Sequence, residues 1–257
     1  MSQRSRAAVR GARKALRRGQ QLVLPLPHAR DGTRRGGVRA GAGRKRVGAR
    51  GSTPHRTRPQ HRAGEPVLVT MRAGLAPLRS RFVFPTLKYA IGGANRRDPS
   101  TFRIVHFSVQ HDHLHLIVEA ESRRALSAGM RSLSVRVARA MNELLLRRGR
   151  FWADRWHGRA LGSPREVRNA LVYVLANFRK HARGRLPLGI DPYSSGTHFG
   201  GWLEWSPAHG NTPYAERPPP EGGGVHIPRE VIAAARSWLL TAGLRRTRRL
   251  SIGEAPA

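Results

Sequence analysis

The stretch QHDHLHLIVEA at 110–120 sets two histidines one residue apart inside an apolar run. In a strand, residues i and i+2 stand on the same face. His113 and His115 therefore share one side, with Leu114 and Leu116 on the other. Two readings follow. A half-exposed edge strand turns polar residues outward, whereas two neutral imidazoles side by side also suit a divalent cation. A second unusual pattern lies further along the chain. Glu166, Asn169, Tyr173, Asn177 and Lys180 form one stripe of a helical segment, with Tyr173 and Asn177 four apart and so adjacent. The plain alternative is a boundary tyrosine whose hydroxyl reaches water.

These residues need a scaffold, and the sequence sketches one. PVLVTMR (66–72) reads as a β-branched strand, and order should begin near Pro66. Residues 77–97 are mostly helical in pattern, with Pro85 kinking or interrupting the run. FRIVHFSVQ (102–110) and DHLHLIVEA (112–120) are apolar strands around a tight polar connection, hence an antiparallel hairpin. Leu126, Met130, Leu133, Val137, Met141 and Leu144 recur at helical steps through 126–149. A fourth strand falls within 150–162. Ser163, Pro164 and Glu166 then form a capping box opening a helix to about His181, whose buried face is Val167, Ala170, Leu171, Val174 and Phe178. The order β-α-β-β-α-β plus a closing helix is the ferredoxin-like, split-βαβ plan of an α+β domain. Beyond 185 the chain is rich in Pro and Gly, with a last basic amphipathic helix expected over 228–246. Three divisions result: a basic Arg/Gly-rich tail over 1–63, expected to be disordered when free, a split-βαβ domain over 64–184 that carries the histidines and Tyr173, and an extension over 185–257.

Composition narrows the partners. The 257 residues hold 48 Lys+Arg against 15 Asp+Glu, a net charge of +33. An excess of this size points to a polyanion, and nucleic acid leads. Residues 1–63 alone carry 18 basic residues and one acid, Asp31, or +17. Within them GAGRKRVGAR (41–50), with Arg44, Lys45 and Arg46, suits an extended hook in an A·T-rich minor groove, or simply a solvated tail. No apolar run reaches the length of a membrane span. Cysteine is absent, which excludes disulfides, Cys-type zinc sites and thiol chemistry. A cytoplasmic, nucleoid-associated protein is the expectation.

Taken together, H-x-H on a central strand and Tyr-x-x-x-Asn on the closing helix, in split-βαβ order, resemble the HUH single-strand endonucleases. Among these the resemblance is to the IS200-like single-tyrosine transposases and their REP-associated relatives, and it covers about residues 66–182. HDHLHLIV is similar to the family's N-H-x-H strand, with Asp112 where Asn is usual. GRFWADRWHGRAL looks like its Trp segment, and VYVLANFRKHA like its tyrosine helix, with Phe178 in place of Pro. The resemblance implies that His113, His115 and Asn177 bind Mg²⁺ or Mn²⁺ and that Tyr173 is the nucleophile. It also implies a 5′-phosphotyrosine intermediate on single-stranded or hairpin DNA, with the enzyme acting as a monomer or a homodimer. Asp112 could tune the site or compete as an oxygen ligand, and His106, His111 and His157 could lie nearby. Arg131, Arg155 and Lys180 join the basic tail as candidate DNA-binding residues, and Trp152 and Trp156 either stack on bases or pack in the core. A non-catalytic DNA-binding descendant of a transposase is the alternative. An RNA-binding sheet ranks below both, because the central strands lack the glycine-aromatic signature.

Overall fold

A computed structural model describes residues 61–74, 77–181, 189–203 and 227–256, with only the backbone of 179–181. The tail and the 41–50 segment lie outside the described residues, apart from 61–63. Seven main elements follow one another: β1 (Val67–Arg72), α1 (Phe84–Arg97), β2 (Phe102–Val109), β3 (His113–Ala120), α2 (Arg123–Leu144), β4 (His157–Ala160) and α3 (Pro164–His181). The four strands form one antiparallel sheet in the order β2-β3-β1-β4. This is the split-βαβ arrangement, in which β3 is inserted between β1 and β2. No helix among the described residues is long and apolar enough to cross a membrane.

The sheet is covered on both faces, so β2 and β3 read as nearly continuous apolar runs. On one face Val69, Met71, Leu114, Leu116 and Val118 meet Leu87 and Ile91 of α1 and Met130, Leu133 and Val137 of α2. On the other face Ile117 meets Val167, Leu171 and Val174 of α3. The histidines of β3 have the parity of Ile117, so they stand on the α3 face.

Two of the three helices start where a side chain satisfies one of the first amides. Ser122 Oγ accepts from Ala125 N–H at 3.1 Å ahead of α2. Ser163 Oγ accepts from Glu166 N–H at 3.3 Å, while Glu166 Oε2 accepts from Gly162 N–H at 2.9 Å. Pro85 neither kinks nor interrupts α1. It sits in the first turn, where its missing N–H costs no hydrogen bond, and residues before Phe84 form turns rather than helix. The fourth strand, His157–Ala160, lies within the segment expected to contain it.

The helix expected over 228–246 does not form as one piece. Arg229–Val231 make a short 3-10 turn, the chain then runs extended, and only Leu239–Gly243 wind into a π-type turn continued briefly by 244–245. Tertiary hydrogen bonds override the apolar periodicity. Ala233 N–H donates to Ile104 O at 2.9 Å, and the amides of Arg236 and Ser237 donate to the buried carboxylate of Glu119. A helix would have turned those amides inward on itself.

The outer edge of β2 is occupied by the chain's own later segments and by Asn95 of α1. Val109 N–H donates to Tyr193 O at 2.9 Å, Phe107 N–H to Ser195 Oγ at 2.9 Å, and Ile104 N–H to Asn95 Oδ1 at 2.7 Å. Asp191, fully buried, clamps this segment through two 2.8 Å hydrogen bonds from Arg79.

Candidate active site

Both imidazoles stand on the α3 face of β3, with ring planes 1° apart and centroids 6.0 Å apart. The register places His115 opposite Thr70 of β1 and His113 opposite Arg72. Each ring meets a hydrogen-bonding partner at Nδ1. His113 Nδ1 lies 2.5 Å from Asp112 Oδ1, and since a carboxylate only accepts, the ring donates. Arg72 Nε in turn donates to Asp112 Oδ2 at 3.3 Å. Thr70 Oγ1 lies 3.1 Å from His115 Nδ1. Partial burial pushes the Asp112 carboxyl upward, but His113 and Arg72 together hold it below the ordinary carboxylate range.

α3 brings Tyr173 of its stripe onto this face, whereas Asn169 is exposed. The Tyr173 ring packs edge-on against His115, centroids 4.9 Å apart and planes at 72°. Asn177, one turn further, is buried at 3 % exposure. Burial raises the pKa of the Tyr173 phenol above its usual value. Strand and helix thus join two patterns that are far apart in the chain.

The donor set bears on whether a cation fits. Among the described residues, no group of three or more His, Asp or Glu side chains is placed to hold a metal ion. A cation here would rest on the two imidazoles and the neutral Asn177 amide, completed by oxygens of a bound phosphodiester. The residues suit that task. Their Nδ1 atoms meet Asp112 and Thr70, and partners of this kind at the second ring nitrogen usually accompany metal-binding histidines. Thr70 and Arg72 were not singled out in the sequence. The register that sets them beside the histidines is not legible in VLVTMR itself.

Other candidates divide. Arg155 is exposed in the segment before β4. Arg131 is exposed on α2, on the opposite side of the sheet from the histidines, and is not brought to them. Arg44, Lys45, Arg46 and the Lys180 side chain lie outside what is described. Trp152 and Trp156 pack against the core, Trp152 donating from Nε1 to Ser134 O at 3.0 Å. A Cβ on Gly158 would come within 2.7 Å of the Trp156 ring, so the ring lies flush on β4. His106 serves no histidine of the pair. It is buried, lies 3.1 Å from Ser195 Oγ and meets Phe199 edge-on. His111 and His157 are exposed.

Residues 93–176 match the family described as Transposase IS200 like. A comparison with curated proteins gave no match. Solved structures with similarity include a REP-associated tyrosine transposase bound to a REP hairpin. It shares 17% identity and a TM-score of 0.43, over 72% of this chain and 100% of that one. A bacterial tRNA(His) guanylyltransferase-like protein in complex with GTP is 12% identical with a TM-score of 0.36, over 51% of this chain and 74% of that one. The family match runs from the end of α1 through the histidine strand and β4 to the turn of α3 that carries Tyr173, and over these residues the chain is similar to IS200-like transposases.

Proposed function

We propose that this transposase domain nicks and rejoins single-stranded DNA at or beside a hairpin, through a covalent link to Tyr173. The observation that carries the reading is the 4.9 Å contact between the Tyr173 and His115 rings, which sets a phenol beside the imidazole pair. The Tyr173 hydroxyl would attack phosphorus, leaving a 5′-phosphotyrosine and a free 3′-hydroxyl. A phenol is protonated at neutral pH and burial favours that form further, so the attack includes loss of its proton. A phenolate also departs readily, so a DNA 3′-hydroxyl can reverse the step, and no nucleotide energy source is required. His113, His115 and Asn177 would hold Mg²⁺ or Mn²⁺, which when bound would polarise a non-bridging phosphate oxygen. Asp112 and Thr70 would keep the imidazoles in the ligating tautomer. The +17 of residues 1–63 would supply affinity for phosphates rather than chemistry.

The test is a trapping experiment on oligonucleotides taken from the DNA flanking the gene, labelled at either the 5′ or the 3′ end. On denaturing gels, label should stay with the protein only when it lies 3′ of the nick. Tyr173→Phe removes one oxygen and should abolish the adduct while leaving DNA binding intact. An adduct that persists in Tyr173→Phe, or one that carries the 5′-side fragment, refutes the reading. DNA binding with no adduct from the wild-type protein would instead favour a non-catalytic descendant.

A further inference from the structure

We infer that His157 is the proton donor to the leaving 3′-oxygen, an assignment that rests on the phosphotyrosine reading above. Register is the first observation. Ser108, His115, Thr70 and His157 are paired in turn across β2, β3, β1 and β4. Directly paired residues of antiparallel strands point to the same face. His157 therefore stands on the face of the histidine pair, two strand spacings from His115, about 10 Å of backbone.

The second observation is where α3 lies. It packs over β2 and β3 and, with Phe199, Trp202, Leu239 and Leu250, fills that half of the face. The half formed by β1 and β4 is less covered, although Leu68 and Leu161 still pack with the α3 cluster and Thr70 is half-buried. His157 is exposed there, and the Arg72 and Arg159 side chains are 48% and 52% exposed. Displacement at phosphorus sets the attacking and leaving oxygens roughly in line. With Tyr173 entering from the α3 side, the leaving oxygen is driven toward β1 and β4, where His157 is the titratable group of the row.

The chemistry asks for such a group. As the bond from Tyr173 Oη to phosphorus forms, the P–O3′ bond breaks and its electron pair leaves on O3′. That alkoxide is far more basic than the incoming phenolate. The His157 imidazolium would give its proton to O3′, while the phenol proton goes to solvent. In the joining direction the neutral imidazole would take the proton from the attacking 3′-hydroxyl. Imidazole is the side chain able to play both parts near neutral pH.

The experiment uses the full-length chain and an oligonucleotide that the wild-type protein cuts, made with either oxygen or sulfur at the 3′-bridging position. A thiolate leaves without a proton. Single-turnover cleavage by His157→Gln should fall on the order of 10²-fold with oxygen and match the wild-type rate with sulfur. Equal slowing on both would make His157 a DNA-holding residue, and slowing on neither would remove it from the reaction; either result overturns the assignment while leaving Tyr173 in place. A wild-type protein that forms no adduct on either strand overturns the underlying reading as well.

Discussion

If His113 and His115 hold a cation as proposed, the hydrogen bonds at their Nδ1 atoms, supplied by Asp112 and by Thr70 of β1, would decide which ring nitrogen each presents to it. Removing such a partner usually lowers metal affinity 10- to 100-fold, because the ring gains freedom and loses basicity. Thr70→Val and Asp112→Asn should each weaken Mn²⁺ binding in that range, measured by titration calorimetry on the full chain, and Thr70→Ser should restore it. Unchanged affinity in both variants would mean that the rings are held by other contacts. At this scale the sequence was informative wherever a pattern is local. The one-residue spacing of the histidines put them on one strand face, and the four-residue spacing of Tyr173 and Asn177 put them on one helix face. Thr70 was beyond reach, since its partner His115 lies far along the chain and only strand pairing joins them.

The main elements of 66–181 followed from periodicity and caps, because each buries one face against the sheet and announces its start with Ser122, Pro85 or Ser163. The segment 228–246 did not, and the reason is Glu119. This carboxylate, 3 % exposed, accepts from Arg103 Nε at 2.6 Å and from the amides of Arg236 and Ser237. Burial pushes its pKa up, but those donors outweigh it and hold the group below the ordinary range. An apolar repeat cannot reveal that a distant acid will claim two amides of a would-be helix. The same later segments explain why α3 is more enclosed than an amphipathic stripe implies, with Val172, Leu175 and Ala176 also buried. Glu119→Gln keeps the shape but leaves the Arg103 charge buried without its counter-ion. A loss of about 3 kcal/mol is expected, as for other buried pairs broken on one side. Urea unfolding would measure it, and a loss below about 1 kcal/mol would show the pair to behave like an exposed one.

The whole molecule should be sensitive to mild acid. Burial, followed by the charge of His198, lowers the His106 pKa from 6.5 to about 4, with Glu119 pulling weakly the other way. The unfolded chain therefore takes a proton that the folded one refuses. The stability contributed by this group is complete above pH 6.5 and is lost as pH falls from 6.5 toward 4, reaching about 3 kcal/mol at the low end. Urea midpoints at pH 7 and pH 5 should separate in the wild-type protein and draw together in His106→Gln. A wild-type midpoint that does not move across that interval would contradict a neutral, buried His106. Burial of this kind accompanies the way the later segments lie along β2, and that placement has a consequence for how molecules meet at high concentration. An uncovered strand edge is a template for the next chain, the usual starting point of fibrils and swapped assemblies. Here an intruding strand would first have to displace Tyr193, Ser195, Ala233 and the Asn95 amide from β2. The other lip of the sheet, β4, offers only four residues. Among the described residues, one margin of the sheet is thereby occupied and the other is short, so neither gives a second copy of the chain a long strand to extend.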